Sequence, residues 1–97
     1  MNTLKKNLVL TGMMGSGKTT IGKSLSRRLN MEFADIDDII EKKNSLSISE
    51  IFELRGEKSF RNEEEKESIK TLKKSNIIIA LGGGAFINKN IRDEIKK

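Results

Sequence analysis

Apolar positions along the chain fall into three short runs separated by stretches with helical spacing. Asn7-Leu8-Val9-Leu10-Thr11 shows no alternation that would mark a wet face, which predicts a buried strand of a parallel sheet. Ile77-Ile78-Ile79-Ala80-Leu81 carries the same signal more strongly, being β-branched and apolar throughout. Glu32-Phe33-Ala34-Asp35 reads as a weaker strand between them. From Lys18 onward Ile21, Leu25 and Leu29 recur at helical spacing, with Lys23, Arg27 and Arg28 on much of the opposite face. Ile39 and Ile40 begin a short helix that runs out at Asn44. Ser47-Ile48-Ser49-Glu50 fits a capping box and Gly56 a left-handed stop, so Ser47 to Arg55 is predicted helical. Glu57 to Lys74 forms a longer, more polar helix with Phe60, Ile69 and Leu72 as apolar members, closed by Asn76. Along it Glu57, Arg61, Glu64 and Glu65 are spaced to pair three and four residues apart. Asn88 can cap a last helix that ends at Lys97.

The turn after the first strand changes this picture from architecture to chemistry. Gly12 to Thr19 reads Gly-Met-Met-Gly-Ser-Gly-Lys-Thr and fills every fixed position of the phosphate-cradling pattern Gly-x-x-x-x-Gly-Lys-Ser/Thr. Ordinary residue frequencies give such a match in a chain this long roughly a few times in a thousand. A strand feeds the motif and a helix leaves it, which is the context it needs. The glycines let backbone amides converge on phosphate oxygens, Lys18 reaches the outer phosphates, and the Thr19 hydroxyl is placed to ligate magnesium. The plain alternative is a glycine-rich turn with no ligand. Asp35 and Asp37 lie at or just past the end of the second strand, and Gly82-Gly83-Gly84 directly follows the third. Ligands of open parallel sheets collect at the carboxyl ends of strands, so all three segments point to one edge. Three glycines there let the backbone approach a ligand closely, although a flexible turn would read the same way.

Composition narrows the chemistry further. At 97 residues the chain suits one domain at most. A chain of that size buries about two-thirds of its unfolded surface. Isoleucine and leucine must carry the thin core, since there are four Phe and no Trp or Tyr. With no Cys and no His, disulfides, zinc sites, thiol nucleophiles and histidine acid–base chemistry are excluded, leaving a carboxylate, a lysine or water to accept a proton. No apolar run is long enough to span a bilayer or to serve as a signal-peptide core, so a soluble cytoplasmic protein is expected. The net charge of +5 might suggest nucleic acid, but residues 1–31 contain six bases and no acid, clustered around the phosphate loop. Positive potential there serves a polyanionic small ligand, and no aromatics interleave the bases as single-strand stacking requires.

The phosphate loop, Asp35-Ile36-Asp37, Ser47-Ile48 with Ile51-Phe52 ahead of Gly56-Glu57, then Phe60-Arg61 with Glu64, and Gly82 to Gly84 occur in one register. Together they resemble shikimate kinase, over essentially the whole chain. The resemblance implies ATP-dependent, Mg2+-assisted phosphorylation of the shikimate 3-hydroxyl, on the route to chorismate and aromatic amino acids. It implies that Gly15, Ser16, Gly17, Lys18, Thr19 and Thr20 hold the ATP phosphates, and that Thr19 with Asp35, the latter through water, serves the metal. Lys18 and Asp37 then stand at the chemistry, Asp37 accepting hydrogen bonds from shikimate hydroxyls. Arg61 grips the shikimate carboxylate through its guanidinium fork, against the alternative of a surface ion pair with Glu57 or Glu65. Gly82, Gly83 and Gly84 supply backbone contacts to the substrate, Phe52 and Phe60 an apolar wall or plain core packing, and Glu64 orients Arg61. Asp38 is read as a solvated neighbour.

The implied fold is an α/β, three-layer parallel sheet like that of P-loop nucleoside-monophosphate kinases, truncated after the third strand. Residues 1–97 are then the N-terminal part of a single P-loop kinase domain. The family continues with two more strands, an arginine-bearing lid, a second arginine for the substrate carboxylate and an adenine-clamping loop, expected beyond Lys97. Arg92 lies in the wrong segment to replace the lid arginine. In the family's strand order 2-3-1-4-5, this chain leaves the phosphate-loop strand at a sheet edge, where an apolar strand invites association. The full domain is expected to be monomeric. Two rival readings remain: another small-molecule P-loop kinase such as gluconate kinase, and a non-catalytic nucleotide-binding module.

Overall fold

The computed structural model describes residues 7–11 and 16–96, without the side chains of 16–19, 83 and 86. Three strands, β1 (Leu8–Leu10), β2 (Glu32–Asp35) and β3 (Ile77–Ala80), alternate with helices α1 (Ser16–Leu29), α2 (Ile36–Asn44), α3 (Ile48–Arg55), α4 (Glu57–Leu72) and α5 (Lys89–Ile95). All strand pairs are parallel, in the order β1-β3-β2, which is the order 2-3-1 expected.

β3 occupies the centre, and each of its four residues is buried, as its unbroken apolar run requires. Its alternate side chains divide the molecule into layers. Ile77, Ile79 and Leu81 join Ile36, Ile40, Ile51, Phe60, Leu72 and Ile91 in one cluster, so α2 to α5 cover that face. Ile78 lies outside that cluster and pairs in register with Phe33 of β2. Phe33 in turn meets α1, because a methyl group placed on Gly22 would sit 2.1 Å from its ring. Only a residue without a side chain lets α1 approach the sheet this closely. β1 is one of the two edges of this sheet, with Leu8 41% exposed.

The cap chemistry explains where helices start. Ser47 and Glu50 form the expected reciprocal box, with Ser47 Oγ accepting from Glu50 N and Glu50 Oε1 accepting from Ser47 N. The bond from the Ser47 amide, first, and then that from its hydroxyl hold the Glu50 carboxyl below its usual range. Asn88 caps α5 by accepting from the Ile91 amide at 3.0 Å. α2 starts at Ile36 rather than near Ile39, because Asp35, the last residue of β2, also serves as its cap and accepts from Asp38 N at 3.2 Å. α1 likewise begins at Ser16, ahead of the Lys18 expected from its apolar stripe. The segment after β3 differs more: Gly83–Ile87 winds into a 3₁₀ turn instead of an open glycine loop.

Asn7 fastens the first strand to the rest. Its Nδ2 donates to the carbonyls of Leu72 at 3.1 Å and Lys74 at 2.9 Å, and its Oδ1 accepts from the Ile77 amide at 3.1 Å. One side chain thus closes the end of α4 and the start of β3 together. Asn7→Ala strips the buried Ile77 amide of this acceptor and is expected to lower stability by about 2 kcal/mol. In urea denaturation the midpoint should fall with the slope unchanged. An unmoved midpoint would mean that water replaces all three bonds.

Candidate functional site

The carboxyl ends of the strands meet the N-terminal half of α4. β2 delivers Asp35 and, in the first turn of α2, Asp37. β3 delivers Leu81 and Gly82, and the 3₁₀ turn brings Gly84 back over α4. A methyl group built on Gly82 would lie 3.3 Å and 3.4 Å from the two Asp37 carboxylate oxygens and 3.5 Å from Glu64 Oε2. One built on Gly84 would lie 2.3 Å from Arg61 Nη1. Asp37, Arg61, Glu64, Gly82 and Gly84, scattered over much of the sequence, therefore share one small volume.

Arg61 is held from several sides. Its Nη1 donates to Glu64 Oε1 at 3.0 Å, while Nε and Nη2 each reach Glu57 Oε2 at 3.4 Å. Phe52 and Phe60 meet in a tilted contact at 5.0 Å between ring centroids and lie under the guanidinium, 5.8 Å and 5.3 Å from its carbon. The two phenylalanines thus serve as core, Phe60 being buried, and as a shelf for the cation. Burial opposes the charge on Arg61, but the bond and charge of Glu64, then those of Glu57, outweigh it and raise the pKa above the ordinary arginine value. Glu64 is 2% exposed, whereas the Arg61 side chain remains 38% exposed. The result is a fixed cation with an accessible side, backed by a buried carboxylate and close to a second acid, Asp37; chemically, such a pair can bind a carboxylate and accept hydrogen bonds from hydroxyls.

Glu64 contacts Arg61 as an orienting residue would, and the ion pair of Arg61 with Glu57, the alternative to a carboxylate grip, is present as well. Glu65 is engaged elsewhere, accepting from Asn88 at 2.7 Å and Asn90 at 3.4 Å. Asp38 sits exposed in a surface pair with Lys42 at 3.0 Å, as a solvated neighbour should. Residues 12–15 and the side chains of Lys18 and Thr19 fall outside the described residues, so the phosphate loop is represented by its flanks. β1 ends at Leu10 and α1 begins at Ser16, the strand–loop–helix context that the motif needs. Among the described residues no three carboxylates gather as a metal site. Magnesium fits such a place when phosphate oxygens and water supply most of its ligands, with one or two protein oxygens such as those of Asp35. The roles of Gly22 and Asn7 leave no local pattern in the sequence, since a close helix–strand approach and a long-range amide clasp arise only from tertiary contact.

A parallel α/β sheet whose first strand ends just before the Gly12 to Thr19 phosphate motif, with a helix following, is the architecture of P-loop nucleotide-binding proteins. Within that class, the shikimate kinase family model matches residues 14–97, and the chain belongs to the shikimate kinase family. It is 44% identical over 92 residues to the shikimate kinase of a Sulfurihydrogenibium species, covering 95% of this chain and 55% of that protein. It is 42% identical over 91 residues to shikimate kinase 1 of Escherichia coli, covering 94% and 53%. Among solved structures, shikimate kinase from Acinetobacter baumannii in complex with shikimate superposes with a TM-score of 0.88 at 39% identity, covering 98% of this chain and 52% of that one. The Aquifex aeolicus enzyme gives 0.85 at 40% identity, with 94% and 54% covered. The chain thus spans about half the length of the relatives it matches. Among the described residues no helix is long and apolar enough to cross a membrane.

Proposed function

We propose that these residues carry the phosphate-donor and acceptor portions of a shikimate kinase site, which transfers the γ-phosphoryl group of ATP to the shikimate 3-hydroxyl and leaves shikimate 3-phosphate and ADP. The observation that supports it best is the convergence of Asp37, Arg61, Glu64, Gly82 and Gly84 at the strand ends beside the phosphate-loop flanks. The complex of the Acinetobacter relative with shikimate supports the choice of acceptor. Shikimate is a carboxylate bearing several hydroxyls, and the site offers a cation for the first and an acid for the second.

In this reading Gly15, Ser16, Gly17, Lys18, Thr19 and Thr20 hold the nucleotide phosphates, and Thr19 and Asp35 hold Mg2+, which offsets phosphate charge when bound. Arg61 fixes the substrate by its carboxylate, with Glu64 and Glu57 keeping the fork aimed. Asp37 orients the reacting hydroxyl and receives its proton; loose phosphoryl transfer needs little base strength, so positioning is the larger contribution. Gly82, Gly83 and Gly84 offer backbone to the bound acid without side-chain obstruction. Residues 1–97 form the N-terminal part of one kinase domain, monomeric as a whole and cytoplasmic, and the open β1 edge favours self-association of the shorter chain.

A coupled assay with ATP and shikimate, together with titration calorimetry of each ligand, tests this reading. The 97-residue chain is expected to bind ATP and shikimate but to turn over at least about 10³-fold more slowly than a full-length relative, the scale of a transition-state arginine. Robust turnover by material of verified mass would refute the expected deficit. A nucleotide-binding module without acceptor chemistry is the competing reading. It predicts heat with ATP and none with shikimate.

A further inference from the structure

A second polar concavity lies on the side of α4 turned away from Arg61. This groove, about 560 Å³, is walled by Lys43 at the end of α2 and Arg55 at the end of α3. Lys58, Ser59, Asn62 and Lys66 of α4 form its floor. These four recur at helical spacing, so they share a face, and Lys58 and Lys66 stand about 12 Å apart along the axis at about 1.5 Å per residue. Two carboxylates also border the groove, and both are engaged. Glu67 holds Lys43 at 2.7 Å and Glu63 accepts from Asn44 at 2.9 Å. The Glu67 bond, and after it the Glu67 charge, raises the Lys43 pKa, so that lysine stays protonated. Among the described residues Lys58 and Lys66 have no carboxylate within ion-pair distance, and Arg55 donates to the neutral Asn44 amide oxygen. The groove therefore presents three cations not consumed by ion pairs, together with the Ser59 hydroxyl and the Asn62 amide. Among the described residues no aromatic or apolar residue lines it.

We infer that this groove is a second anion site, built for an inorganic oligophosphate and separate from the phosphate loop. Charge spread along about 12 Å of helix fits a chain of linked phosphoryl groups better than a single anion, and the only apolar lining is the stems of charged side chains, with no aromatic ring for a nucleobase to stack on. Lysine and arginine donors to phosphate oxygens make charge-assisted hydrogen bonds, and exposed sites of this kind weaken as salt rises. The groove uses none of the residues assigned to the acceptor site.

Sodium tripolyphosphate titrated into the 15N-labelled 97-residue chain, followed amide by amide by NMR, tests the inference. Two saturable sets of shifts are expected: one around residues 12–20, and one at Arg55, Lys58, Asn62 and Lys66. The double variant Lys58→Gln/Lys66→Gln, changed only at exposed positions, should weaken the second set at least about tenfold while leaving the first intact. Arg55→Gln, from the opposite wall, should weaken the second set as well. Shifts confined to the phosphate loop would overturn the site. So would equal shifts from sodium chloride at matched ionic strength, or an unchanged second set in both variants. None of these outcomes bears on the shikimate kinase reading, which is judged by shikimate binding.

Discussion

Arg61→Ala is expected to weaken shikimate binding about a hundredfold while leaving ATP binding within a factor of about three. The magnitude follows from the fork: two charge-assisted hydrogen bonds at about 1.5–3 kcal/mol each, with partial replacement by water, leave a loss near 3 kcal/mol. Stability should also fall, because Glu64 is buried and loses its 3.0 Å partner. The exposure of Arg61 limits that loss to about 1 kcal/mol. Arg61→Lys separates the two effects. A lysine can restore charge beside Glu64 and most of the stability, but it lacks the planar fork and should recover only part of the affinity. Calorimetry with shikimate and with ATP, beside urea denaturation of the same variants, gives all four numbers. Undiminished shikimate affinity in Arg61→Ala would remove the carboxylate grip from Arg61 and reopen the choice of acceptor among small-molecule P-loop kinases, gluconate kinase included.

Much of the scaffold behind that prediction can be read from local pattern. The three strands are marked by apolar runs, and α3 by a capping box whose two hydrogen bonds both form. The start of α2 is hidden because Asp35 does two jobs, ending a strand and capping a helix, and because Ile36, though at helical spacing from Ile39 and Ile40, directly follows the strand and reads equally as its continuation. The 3₁₀ turn at Gly83–Ile87 is hidden for a different reason: a run of glycines has no periodicity and permits many backbones. In the site, the Arg61–Glu64 pair is legible because residues three apart on a helix are neighbours. What seats Gly84 on Arg61, Gly82 on Asp37, and Gly22 on Phe33 is packing between distant segments. Asn7, whose partners lie at the far end of α4 and the start of β3, belongs to the same class. Local chemistry thus reveals which residues could act, and tertiary contact decides which of them meet.

Gly84→Ala turns that distinction into a measurement. The added methyl would stand 2.3 Å from Nη1, 2.7 Å from Cζ and 2.8 Å from Nη2 of Arg61, so the two cannot coexist as placed. Gly84 does not occupy the left-handed region, and alanine therefore meets no backbone strain there. The obstructing atoms are the tip of a long side chain with a half-open environment, which yields far more easily than backbone would. Stability is accordingly expected to change by less than about 0.5 kcal/mol, since the lost Glu64 contact is set against the reduced freedom of the unfolded chain. The guanidinium must swing out of line, and shikimate affinity should fall about tenfold or more for want of one or both fork bonds. Gly82→Ala provides the scale, because its methyl would meet Asp37 and Glu64 oxygens only at 3.3–3.5 Å, which small shifts accommodate. The expected order of affinity loss is therefore Gly84→Ala well above Gly82→Ala, with both proteins equally stable. Equal affinities would show that the third glycine of the run does not govern Arg61. A parallel loss of stability would instead make Gly84 part of the packing, and its effect on binding a consequence of that.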